Sequence, residues 1–357
     1  MTSVDIVPLV VPLAVDSPDA GDFLGLVEVR NSVMLESLGP DAVMTATELL
    51  SRFQNSAEAE RIWFVAKIGD RVVGRAVCAL PFDDAAPEVE IGVDVATEHR
   101  RKGIGSALVD RVEKLARERG KSIAQGFMPG PAPGNRLAIS PPSGFGAVPL
   151  DHPGTAFALQ RGATLAQVLR GSALALPVSD DVVTPLYRDA AAAAGTRYSI
   201  VRWAGPTPDE WLGDIATLRT RMTMDAPSGD LTITEDIWDV ERVRIADAEW
   251  GGGGAQVLTS AAVDNETRHL VAFTEIVVPP EGARGANQLD TLVLTEHRGR
   301  RLGLLLKIDN LRHLQEAWPS VRRVAAANAE ENRPILAVNE ALGFVAVEVT
   351  GIWKLAL

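Results

Sequence analysis

The run Arg100-Arg101-Lys102-Gly103-Ile104-Gly105-Ser106 places three cations and two glycines within seven residues. Ahead of a helix, such a turn has the chemistry of a diphosphate cradle. The first N–H groups of a helix have no intrahelical partner, and the helix dipole adds roughly half a positive charge at that end. Glycine lets the backbone turn left-handed and approach a ligand without a Cβ in the way. A second run, Arg298-Gly299-Arg300-Arg301-Leu302-Gly303, has the same character with its glycines differently placed. The spacing from Arg100 to Gly105 is Arg-x-x-Gly-x-Gly. It matches neither Gly-x-Gly-x-x-Gly nor Gly-x-x-x-x-Gly-Lys-Ser/Thr, so the dinucleotide fingerprint and the P-loop are excluded on spacing.

Both runs lie between the same predicted elements. Glu90 to Val95 alternates as a half-buried strand, with Ile91, Val93 and Val95 on one parity. Ile104, Leu108, Val112 and Leu115 then recur at helical spacing, and Gly120 is a helix stop. In the second copy the strand Leu289 to Leu294 precedes a helix carrying Leu302, Leu305, Leu306 and Leu314. Thr97-Glu98-His99-Arg100 and Thr295-Glu296-His297-Arg298 are identical, 198 positions apart (295 minus 97). That register also pairs Val95 with Val293 and Gly105 with Gly303.

The chain therefore reads as two related domains, 1–178 and 198–357, joined by a linker, 179–197, that carries an Ala-rich helix. The fold class is α/β of the mixed α+β kind, each domain a mixed central sheet flanked by helices. Arg301 stands where Gly103 stands in the first copy, so strain is expected if the backbone there needs a positive φ, with Gly299 two positions earlier as compensation. On intact glycines, the first cradle is the expected cofactor site. Residues 128 to 154 hold 7 Pro and 5 Gly in 27 positions, which predicts a long loop inside the first domain.

Composition narrows the partners. Against 35 Lys and Arg stand 47 Asp and Glu, a net charge of −12, which disfavours nucleic acid and anionic membrane surfaces. The apolar run Ile6 to Val15 is short, interrupted by Pro8 and Pro12 and has no basic leader, so neither membrane anchor nor signal peptide is predicted. One cysteine, Cys78, excludes an internal disulfide framework and fits a reducing cytoplasm. The five histidines form no pair at ligand spacing, so no metal site is expected.

Val93-Asp94-Val95 followed by Arg100 to Gly105 resembles motif A of the GCN5-related N-acetyltransferases, Gln/Arg-x-x-Gly-x-Gly/Ala. Asn332 to Phe344, NRPILAVNEALGF, is similar to that family's downstream Asn-x-x-Ala-x-x-Leu-Tyr-x-x-x-Gly-Phe. The whole resembles a tandem-domain member of actinobacterial type. The resemblance implies two central strands that splay apart around the pantetheine arm of acetyl-coenzyme A. It assigns the pantetheine to backbone groups of Val93 and Val95, with Val293 the counterpart in the second copy. It gives the pyrophosphate to the basic turn, with Arg100, Arg101 and Lys102 supplying charge and the amides from Arg101 through Gly103, Ile104 and Gly105 to Ser106 taking the phosphates. In the second copy the corresponding residues are Arg298, Gly299, Arg300, Arg301 and Gly303. The tyrosine that often protonates the departing thiolate falls at Asn339, and at Ala158 in the first half, so both copies depart from the pattern.

Acetyl transfer to an amine needs a base, because an alkyl amine is protonated near neutral pH. Glu90, with Glu88 as its neighbour of like parity, is the candidate on the first strand; Asp290 and Glu275 are the candidates in the second domain. His99 and His297, in register, suit packing or a phosphate contact better than catalysis. Cys78 lies in an apolar strand and is expected to be a buried thiol rather than an acyl carrier. The expected reaction is direct transfer from acetyl-coenzyme A to a primary amine of a small molecule or peptide. A cationic amine is favoured by the net charge and by residues 225–241, which hold six acidic residues in 17. Two alternatives stay open: a non-catalytic acyl-coenzyme A sensor, and a transferase for a larger acyl group.

Overall fold

The computed structural model describes residues 4–57, 59–225, 227–231, 234–251, 254–278, 280 and 285–357. The chain divides into two compact units. The first is Met1–Leu169 with Ser228–Thr232 and Glu348–Leu357; the second is Arg170–Pro227 with Ile233–Val347. Of the acidic segment 225–241, Ala226, Thr232 and Ile233 lie outside the described residues.

The first unit begins β1 (Asp5–Pro8), α1 (Gly21–Leu38), α2 (Ala46–Gln54), β2 (Ala59–Ile68), β3 (Arg71–Pro81) and β4 (Glu88–Val95). It continues α3 (Ile104–Glu118), β5 (Ile123–Gly130), the short strands β6 (Ala138–Ile139) and β7 (Val148–Pro149), α4 (Pro153–Gln160) and the start of β8 (Thr164–Ala175). β1 to β4 are antiparallel neighbours, and β5 joins β4 in parallel. Strand alternation, shifted in β3 by the irregularity opposite Ala66 and Lys67, assigns the two faces. Phe64, Ala66, Ala76 and Cys78 pack against Ile104, Leu108, Val112 and Ala116 of α3. Trp63, Val65 and Val72 meet Leu26 and Val29 of α1 on the other face. Gly74 is required where α3 crosses, since a Cβ there would sit 3.0 Å from Leu108 Cδ1 and 3.2 Å from the Asp94 carbonyl oxygen. Between the end of β5 at Gly130 and the start of α4 at Pro153, the predicted loop carries the small β6–β7 hairpin, whose Val148 reaches the core beside Ala158 and Leu165.

The second unit contains α5 (Asp180–Ala194), β9 (Tyr198–Ala204), α6 (Leu212–Asp225), α7 (Val240–Gly251), β10 (Gln256–Asp264) and β11 (Leu270–Val278). After these come β12 (Gly285–Val293), α8 (Leu302–Ala317), β13 (Arg323–Ala329), α9 (Arg333–Leu342) and β14 (Val345–Ala356). The strand order is β9-β10-β11-β12-β13, antiparallel except for the β12–β13 pair. Leu258, Ala262, Ala272 and Ile276 face α8 and α5, whose Val183, Ala190 and Ala194 are buried there. Ala261, Val263, Phe273 and Leu292 face α6 and α7.

β14 ends in the first unit: Val349 to Ala356 pair antiparallel with Ile123 to Gly130. Trp353 of this stretch is buried with Val148, Ala158 and Leu165. The last residues of the chain thus complete the sheet that the first residues begin.

Candidate active site

The two basic turns share one backbone shape. Arg101 (φ +60°) and Gly103 (φ +83°) are left-handed in the first, Gly299 (φ +78°) and Arg301 (φ +55°) in the second. Each turn needs two left-handed residues, and each supplies one glycine and one arginine, in opposite order. A side chain in this region costs about 1–2 kcal/mol. The strain expected at Arg301 is present, but Arg101 carries its equal, so backbone shape does not rank the two turns.

Each turn leads into a helix with an open start. The first intrahelical bonds run from Ala107 N to Gly103 O and from Leu305 N to Arg301 O, both 3.0 Å. No side chain caps either helix. The amides of Ile104, Gly105 and Ser106, and of Leu302, Gly303 and Leu304, thus precede the first bonded turn, as an anion site requires.

The leading arginines are tied to the fold. Arg100 Nε donates to the Val95 carbonyl (3.0 Å), and its Nη atoms donate to Glu36 of α1 at 3.0 and 2.7 Å. Arg298 repeats this with the Val293 carbonyl (3.0 Å) and Asp225 of α6 (2.8 Å). The bonds from Arg100 hold the Glu36 carboxyl below its ordinary range. Lys102 Nζ bonds the Glu98 carbonyl at 2.8 Å. Arg100 and Arg298 therefore pin the turns, and exposed Arg101 and Arg301 carry charge into solvent.

The paired strands below each turn part. β4 and β5 pair only from Glu88 opposite Ile123 to Glu90 opposite Gln125. β12 and β13 pair only from Gly285 opposite Arg323 to Asn287 opposite Ala325. Beyond these points Val93, Val95 and Val293 keep partners on β3 or β11 alone. Each gap leaves a strand edge of N–H and C=O groups suited to an extended amide-bearing arm such as pantetheine.

The carboxylates differ between the units. Glu90 is exposed on β4; Glu88 is half-buried, and its Oε2 has no hydrogen-bond partner. Val77 faces Gly92 in the regular β3–β4 ladder, and Asp94 pairs with Arg75, whose Nε lies 2.6 Å from Oδ2. Arg30 of α1 has its pKa lowered to about 10, first by burial and then by Arg75.

In the second unit the β11–β12 ladder slips between Thr274 and Ile276, so Glu275 faces two residues, Leu289 and Asp290. This bulge aims Asp290 at Arg219 of α6, whose Nη1 lies 3.3 Å from it while Nη2 lies 2.9 Å from buried Glu275. Trp238 covers the guanidinium 5.0 Å away. Burial, opposed by Arg219 and reinforced by Asp290, raises the Glu275 carboxyl to about 7. Arg219 went unnoticed in the sequence, although Ile215, Arg219 and Met222 lie at apolar-face helical spacing.

Other candidates fall into supporting places. Asp225, Asp230 and Asp236 of the acidic segment hold Arg298, Lys354 and Arg242 respectively. Burial pushes the Cys78 thiol up to about 11, against an acyl carrier. Asn339 is buried on α9 and bonds Asn328 Oδ1 at 2.8 Å, so no acid stands at the tyrosine position. Among the described residues there is no metal-binding cluster, and no helix is long and apolar enough to cross a membrane.

Splayed parallel strands under an open helix start define an acyl-coenzyme A-dependent transferase fold, and residues 31–126 match the acetyltransferase (GNAT) family. The whole chain has the tandem GNAT fold. It is similar to a tandem GNAT protein from the clavulanic acid biosynthesis pathway, 27% identical over 99% of this chain and 98% of that one, with a TM-score of 0.75. A GCN5-related N-acetyltransferase from Sphaerobacter thermophilus is 14% identical, with a TM-score of 0.58 over 99% and 95% of the two chains. A possible acetyltransferase from Pyrococcus horikoshii is 12% identical, with a TM-score of 0.56 over 100% and 90%. No curated protein matches the sequence.

Proposed function

We propose that the protein is a cytoplasmic acetyl-coenzyme A-dependent N-acetyltransferase acting directly on a primary amine of a small molecule or peptide, and that the second unit performs the transfer. The observation that carries this is the pair Glu275 and Asp290 on one guanidinium, at the bulge beside the open edge of β12. Gly299 to Gly303 and the free edge beyond Asn287 would hold the cofactor, which supplies the acetyl thioester.

The amine must lose its proton before it attacks. Asp290 is the more exposed carboxylate, 37% against 5% for Glu275, and is the group an ammonium meets. When Asp290 takes the proton, Arg219 is left to bind Glu275 more strongly, which favours ionised Glu275. Glu275, raised to about 7 chiefly by burial, lies near neutral pH beside Asp290, the condition for useful proton handling. With both carboxyls ionised the site carries two negative charges against one guanidinium, and that form supports a cationic amine.

Asn339 and Ala158 favour one second reading, a sensor that binds without turnover, because neither can protonate a thiolate. Incubation with acetyl-coenzyme A and a panel of primary amines, with free thiol detected, separates the two. Thiol release that depends on an amine is expected. Tight binding with no release on any amine would establish the sensor, and release only from longer acyl donors would establish a wider acyl pocket.

A further inference from the structure

The second turn is tied to the far edge of its sheet by a contact with no counterpart at His99. Tyr198, the first residue of β9, accepts a hydrogen bond from Arg300 Nη1 and has its hydroxyl 2.9 Å from His297 Nδ1. His297 is buried, with its ring edge-on to Tyr198 at 5.8 Å. Arg197 and Arg300 lie over the same phenol ring at 5.7 and 5.8 Å, and Arg197 is held by buried Asp264 at 2.7 Å. In the first turn both ring nitrogens of His99 lack a hydrogen-bond partner; Glu98 Oε1 is 3.8 Å away, and Lys102 reaches only its own turn.

We propose that Tyr198 is a positioning residue that preorganises the second turn for a coenzyme A diphosphate. The hydroxyl accepts from Arg300 and shares a hydrogen bond with His297 Nδ1, so both ends of the turn close on one atom. Only one of the five guanidinium N–H groups of Arg300 is used, and the rest stay available to phosphate oxygens. The turn holds Arg301 in a left-handed conformation that its own side chain disfavours, and Tyr198 adds a second anchor to the one that Arg298 supplies. Ordering fixed before binding is not lost on binding, which raises affinity without any new contact to the ligand. The inference rests on the reading of the second turn as a coenzyme A site.

Tyr198→Phe keeps the ring and removes the hydroxyl. Hydrogen exchange of peptides covering 295–303, followed against coenzyme A concentration, reads this turn alone. In ligand-free protein the variant should exchange about 3- to 10-fold faster there, and the coenzyme A concentration that protects the turn should rise by a similar factor. In an Arg300→Ala background the same substitution should add almost nothing; an additive loss would mean that Tyr198 acts through packing and would overturn the inference. Unchanged exchange and protection, or tighter protection, would overturn it as well. If coenzyme A fails to protect the wild-type turn at any concentration, the reading of that turn as a cofactor site falls, and the role of Tyr198 in it falls too.

Discussion

The two units hold the same backbone device under opposite charge. On the α1 side of the first sheet, Arg75 pairs with Asp94, and buried Arg30 has its pKa lowered partly by Arg75. On the α6 side of the second, a single guanidinium, Arg219, serves two carboxylates, Glu275 and Asp290. The change follows from one extra residue in β12, which converts the Val77–Gly92 contact of the first ladder into Glu275 facing Leu289 and Asp290. Asn287 then occupies the place of Glu90, next to the point where the strands part. The backbone of the turn and the parting strands is thus duplicated while the carboxylate pair is not, so a tandem chain of this kind can give its two units different roles.

The largest expected effect breaks this comparison outright. Asp290→Asn should lower turnover by about 10²–10⁴-fold, the usual contribution of a general base, while Glu90→Gln should change it by less than about threefold. Steady-state rates with any productive amine decide the matter. The reverse ranking would move the chemistry to the first unit.

Motifs made the cradles legible and left the division of labour hidden. Two arginine- and glycine-bearing turns, each between a β-branched strand and an amphipathic helix, are local patterns, and the structure has both. The ranking by glycine count rested on position 103 alone; position 101 is left-handed too, and there the second turn has the glycine, so the count does not separate the turns. The bulge in β12 is a matter of register against β11 and carries no residue signature of its own. Trp353 in the core of the first unit reflects pairing between strands more than two hundred positions apart, for which periodicity gives no cue.

The second effect concerns stability, and both groups lie in the second unit. Glu275 titrates near 7 in the folded protein and near 4.3 unfolded, so its contribution is full below about pH 4 and is lost as pH rises towards 7. Lys307, buried on α8, is lowered to about 7 by burial, against about 10.4 unfolded. Its burial penalty is largest below pH 7 and fades as pH rises towards 10. Together the two groups place a minimum near neutral pH, a few kcal/mol deep. In urea unfolding, Glu275→Gln should gain on the wild type between about pH 4 and 7, and Lys307→Met should lose its advantage between about pH 7 and 10. Variants whose difference from wild type is flat with pH would show that neither group titrates as its burial implies.

The smallest effect sharpens the comparison of the turns themselves. Arg301→Gly and Arg101→Gly each replace a left-handed arginine, so each should relieve about 1 kcal/mol of backbone strain, offset in part by the greater freedom of glycine in the unfolded chain. A net change within about 0.5 kcal/mol, equal for both, is expected from urea unfolding. Gly103→Val and Gly299→Val do the converse and should destabilise by about 1–2 kcal/mol each. Neither position 103 nor 299 has an atom within 4 Å of an added Cβ, so the conformation and not crowding is what each variant measures. Equal losses would confirm that the turns differ only in where the glycine stands. A clearly larger loss at one position would show that its turn depends on φ more heavily, and that the shared shape conceals unequal support.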